Sequence, residues 1–152
     1  MKIPTKDDWG EYWKDLDQKS AYERFFGKSN AQLQSCYFDS GQDMMMELRF
    51  MNPKVFQYYV LGFRNFILKG EFPKYEASDF VSYFMEMVEY LLIHEKAKIL
   101  PCIEELLPTL KYISENQELY EASADIYGDF TLKYENLIGI LKESKESGLF
   151  DS

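Results

Sequence analysis

A chain of 152 residues is long enough for one hydrophobic core, and its 46% hydrophobic and 17% aromatic content excludes intrinsic disorder, which needs low hydrophobicity. The net charge of −9 is unevenly spread: residues 1–75 hold 10 acids and 11 bases, residues 76–152 hold 16 acids and 6 bases. A negative field repels phosphate backbones, so it argues against direct nucleic-acid binding and favours a basic protein partner.

The first residues, MKIPTKDDWGEYW, are too polar for a signal peptide, which needs an apolar run of about seven or more residues. Thr5 with Asp8 marks a helix start, and Trp9, Tyr12, Trp13 and Leu16 follow at i, i+3, i+4 and i+7 as a core-facing stripe. Ser20 with Glu23 has capping-box spacing, and Gly27 is the matching stop. Ser29 with Gln32 repeats that pattern ahead of Leu33, Cys36 and Tyr37. Gly41 precedes a further short run, Asp43 to Met51, in which Met44, Met45 and Met46 serve chiefly as core filling.

Asn52-Pro53 is a strong start, an N-cap followed by proline at the first helical position. Phe56, Tyr59, Val60, Phe63 and Ile67 form the apolar stripe of this helix, and Gly70 ends it. Ser78 is the expected cap of the next helix, with Phe80, Phe84, Val88, Leu91 and Leu92 inward and Ser82, Glu86 and Glu89 outward. Pro101 and Pro108 predict a break or kink near Leu107. From Glu115 to Lys145, Leu119, Ile126, Phe130, Leu137 and Leu141 share one helical face, and Gly128 is the point where this stretch can divide. No segment alternates with period two. The expectation is an all-α protein, one compact domain over residues 1–152 with about seven helices, none of them apolar enough for a membrane span.

Signatures of catalysis are missing. His94, the one histidine, lies in HEKAK rather than HExxH, and Leu91 stands where a di-iron motif would place Glu. No Gly-rich phosphate loop or GxSxG occurs, and Glu104-Glu105 sit after Pro101, where acids suit a helix N-terminus. Cys36 and Cys102 form no CxxC and fit reduced thiols of a cytoplasmic protein. No enzyme activity, metal or cofactor is expected.

What remains is ENQELYEASADIYGD, Glu115 to Asp129, with five acids and no Lys or Arg. On a continuous helix of about 100° per residue, Glu115, Glu118, Glu121, Asp125 and Asp129 fall within about 120° of one another. Each like-charge neighbour at i+3 or i+4 costs roughly 0.2–0.5 kcal/mol, and a basic partner would turn that repulsion into attraction. Tyr120 and Tyr127 lie on the same segment as candidate interface anchors. These seven residues are the candidate partner-binding site.

LRFMNPKVFQYYVLGFRNFIL, Leu48 to Leu68, with the helical texture around it, resembles the helical immunity proteins of bacterial contact-dependent growth inhibition systems. The resemblance is one of overall texture and carries no functional residues across. It implies a stoichiometric inhibitor that binds a cognate toxin domain, commonly a nuclease, inside the cell; separately, the free protein is expected to be a cytoplasmic monomer. The alternative is a helical adaptor or regulatory domain for another basic protein.

Overall fold

The computed structural model describes residues 1–146. All regular structure among them is helical, with no strand, so the chain is all-α as its punctuation indicates. It forms two compact units, Met1–Pro73 and Lys74–Ser152, the second described through Glu146.

In the first unit, α1 (Lys6–Trp9) starts where the sequence places it. Thr5 N donates to Asp8 Oδ2 at 2.8 Å, and Asp8 N donates back to Thr5 Oγ1 at 3.3 Å. The helix lasts four residues, because Gly10 adopts φ 61°, ψ −144°. The expected stripe breaks there: Trp9 is buried, Trp13 is exposed and Leu16 is 85% exposed. A 3-10 turn, Tyr12–Lys14, leads into α2 (Leu16–Phe25). Its cap is Asp15, which accepts from the amides of Asp17 and Gln18. An earlier Asp cap thus starts the helix a turn sooner, and Ser20, the expected start, lies inside α2 and donates to Glu47.

At Ser29 the expected reciprocal pair with Gln32 does form, with N–H···O distances of 2.8 and 3.2 Å. α3 (Gln34–Arg49) follows and bends at Ser40, where φ is −138° and ψ 37°. That is the discontinuity announced by Gly41. Met44 and Met45 are buried there, whereas Met46 is exposed. α4 (Pro53–Lys69) is capped by Asn52 Oδ1, which accepts from Val55 N at 3.2 Å, and ends at left-handed Gly70, φ 72°. Phe56, Tyr59, Val60, Phe63 and Ile67 are all buried. The Tyr59 hydroxyl lies 2.8 Å from the carbonyls of both Phe25 and Lys28 and donates to them, tying α4 to the end of α2.

Gly62 gives a test of this packing. A Cβ there would sit 2.3 Å from Asn30 Oδ1. Asn30 cannot swing away freely, since its Nδ2 donates to the Tyr58 carbonyl at 2.9 Å and its amide to the Tyr58 hydroxyl at 3.3 Å. Helix propensity alone favours Ala over Gly by about 1 kcal/mol, but overpacking costs about 1–3 kcal/mol. Gly62→Ala is therefore expected to lower stability by about 1 kcal/mol in chemical denaturation. A gain would show that Asn30 moves aside at little cost.

In the second unit, α5 (Ala77–His94) begins one residue before Ser78. Ser78 is not its cap, because its hydroxyl is engaged elsewhere, donating to Tyr127. Phe80, Phe84, Val88, Leu91 and Leu92 are buried as expected, but Ser82 is buried with them. α6 (Lys96–Ile99) and a 3-10 turn, Leu100–Cys102, lead into α7 (Ile103–Glu115). The break falls at Pro101, not near Leu107. Pro108 lies within α7, where it has no N–H to donate to the Glu104 carbonyl four residues back. α8 (Ala124–Tyr127) and α9 (Phe130–Glu146) complete the described chain. α9 packs against both α5 and α7, burying Phe130, Leu137 and Leu141. With α3 counted as two runs about Ser40, the helices of substantial length among the described residues number seven. No helix among the described residues is long and apolar enough to cross a membrane.

Candidate partner interface

The acid-rich segment is not one helix. α7 ends at Glu115, a 3-10 turn spans Gln117–Tyr120, Glu121 is left-handed at φ 54°, and Gly128 turns the chain again at φ 81°. The single helical face drawn through the five carboxylates therefore does not exist, and the i+4 repulsions counted along it do not apply. The same breaks overturn the apolar face. Leu119 is 64% exposed and Ile126 77% exposed, while Phe130, Leu137 and Leu141 stay buried.

One side chain organises the loop. Gln117 Nε2 donates to the carbonyls of Ala122 and Gly128 at 2.8 and 2.7 Å, and its Oε1 accepts from Phe130 N at 3.0 Å. Those three bonds close the segment into a compact link between α7 and α9. Asn116 Nδ2 caps the end of α7 by donating to the Tyr112 carbonyl at 2.8 Å. Nothing in the local spacing announces Gln117, because its partners lie five, eleven and thirteen residues away.

Around this staple the seven candidate residues divide by role. Glu118, Glu121 and Asp125 are exposed, and no ion pair to them occurs among the described residues. Glu115 pairs loosely with Lys111 at 3.9 Å on the surface. Asp129 Oδ1 accepts from Thr131 N at 2.9 Å and so caps α9. Lys133 turns to Glu86, 3.6 Å away. Tyr120 is not an interface anchor: it is 5% exposed, and burial, with Tyr112 near it, pushes its hydroxyl up to about 12. Tyr127 is half-buried, and its hydroxyl donates to Asp79 Oδ1 at 2.8 Å while accepting from Ser78. Both tyrosines hold the loop down, whereas its exposed apolar contacts come from Leu119 and Ile126.

The resulting surface is acidic and apolar together. Glu121 keeps a left-handed backbone that costs an L-residue about 1–2 kcal/mol, so the turn is held by its surroundings. Gln117→Ala removes three hydrogen bonds worth about 0.5–1.5 kcal/mol each, discounted for partial exposure. We expect a stability loss of about 2 kcal/mol and faster hydrogen exchange at the Phe130 amide. Unchanged protection there would contradict the staple.

Elsewhere the residues offer little chemistry. Among the described residues, no three His, Cys, Asp or Glu side chains are grouped to hold a metal. His94 is exposed at the end of α5 with its ring 4.6 Å from Tyr90. Burial, and then the Glu105 charge, push the Cys102 thiol up to about 12, which leaves it a poor nucleophile. Cys36 and Cys102 are both free thiols. Compared with family models, with curated proteins and with solved structures, the chain matches none.

Proposed function

We propose that this protein is an immunity protein, a stoichiometric inhibitor that binds and neutralises a basic toxin domain inside the cell that makes it. The observation that supports this reading is the stapled loop between α7 and α9. It presents Glu118, Glu121 and Asp125 with exposed Leu119 and Ile126 on an ordered backbone. An enzyme that acts on nucleic acid must attract phosphate, so its cleft is basic. An ordered acidic surface steers toward such a cleft, and the two apolar side chains provide contact area that charge alone lacks. Inhibition of this kind needs no catalytic group, metal or cofactor from the inhibitor.

The test is co-expression with the product of the adjacent gene. A stoichiometric complex that survives purification, together with rescue of growth from that product's toxicity, is the expected result. A complex without growth rescue would favour the adaptor reading. Absence of any complex would overturn both.

A further inference from the structure

A second feature lies in the first unit, away from the acidic loop in sequence and independent of the function proposed above. α2 and the second half of α3 border an open groove of about 170 Å³, lined by Asp17, Ser20, Asp43, Met46, Glu47 and Phe50. That volume is below the ~300–1,000 Å³ of small-molecule sites and suits one long side chain. The wall is mixed. Met46 is 58% exposed and Phe50 39% exposed, so both offer apolar surface to an incoming stem. Glu47 is 8% exposed, and Asp17 and Asp43 stand at the rim.

Two of the lining carboxylates already pair with a guanidinium. Arg24 Nε lies 2.7 Å from Glu47 Oε2, and its Nη2 lies 3.9 Å from Asp43. The hydrogen bond to Glu47 raises the Arg24 pKa further, ahead of an opposing effect of burial. Glu47 Oε1 accepts from Ser20 Oγ at 3.0 Å. With Arg24 paired to Asp43 and Glu47 and Arg49 beside the Phe50 wall, the three lining carboxylates leave one net negative charge at the groove. Arg49 lies over the Phe50 ring at 5.6 Å, so a second cation borders that wall. A carboxylate oxygen has two lone pairs, so Glu47 Oε1 can accept a second bond beyond that from Ser20.

We propose that this groove is a docking pocket for an arginine side chain of a partner protein. The aliphatic stem lies against Met46 and Phe50. The planar head, with five donors in a fixed fork, reaches Asp17, Asp43 and the free capacity of Glu47. A lysine places one compact charge and satisfies fewer of these acceptors. Buried arginine anchors are common among residues that dominate protein interfaces.

The probe is N-acetyl-arginine amide, titrated into the full chain with the Met46 methyl group as the NMR reporter and ionic strength held constant. The expected result is a saturable Met46 shift that the neutral isostere, N-acetyl-citrulline amide, does not produce. In Asp17→Asn/Asp43→Asn the apparent affinity should fall about tenfold or more, as lost charge-assisted hydrogen bonds require. These rim residues are exposed, and the Arg24–Glu47 pair is retained, so the variant keeps its fold; dispersion of the methyl spectrum verifies this. No saturable shift, an equal response to citrulline amide, or an undiminished response in the folded double variant would each overturn the pocket. Failure here leaves the toxin-binding reading untouched, since the probe involves no toxin.

Discussion

Phe63→Ala is expected to lower unfolding free energy by about 3–5 kcal/mol, the cost of deleting a fully buried ring. Phe63 has no exposed surface, and its ring lies 5.5 Å from that of Tyr37, itself buried. The residue stands at the centre of the α4 stripe, between Tyr59 and Ile67 along the helix. Tyr37 is itself fully buried and packs its ring against both Phe63 and Phe66. A loss of that size approaches the whole stability of a marginal domain, which is about 5–15 kcal/mol. Urea denaturation of the purified variant measures it. A loss below about 1 kcal/mol in a monomeric protein would contradict the packing of α4 against α3.

How much of this fold the sequence discloses depends on how local each cause is. α4 is legible from end to end, because its cap, its first-position proline and its left-handed terminal glycine all act within a few residues. The Thr5–Asp8 and Ser29–Gln32 pairs are legible for the same reason. Ser20 and Ser78 mislead, since a capping residue type marks a start only if its hydroxyl is not needed elsewhere. Here one serves Glu47 and the other Tyr127. The acidic segment misleads more deeply. Leu119 and Ile126 have helical spacing, but Gln117 satisfies three backbone groups of a loop and fixes a non-helical path. Composition could show where the carboxylates cluster, and the structure alone could show that Tyr120 faces inward and Ile126 outward. The charge imbalance, by contrast, follows the architecture closely. Residues 1–73 carry 10 acids and 10 bases, while residues 74–152 carry 16 acids and 7 bases.

Reversal of charge at two exposed loop positions, Glu121→Lys with Asp125→Lys, is expected to leave the fold intact and to impair binding. Exposed substitutions of this kind move stability by no more than about 0.5 kcal/mol. Lysine meets the same left-handed cost as glutamate at position 121, so the backbone gains no reason to change. Steering charges act mainly on the association rate, by about 10–10³-fold in strongly charged pairs, and their effect falls as salt rises. The decisive measurement is the association rate of wild-type protein and double variant with the toxin domain proposed as its partner, at low and at high salt. The wild type should associate at least about tenfold faster at low salt and lose most of that advantage at high salt. Equal rates at both salt concentrations, with both proteins folded, would contradict the assignment of the acidic loop as the partner-binding surface.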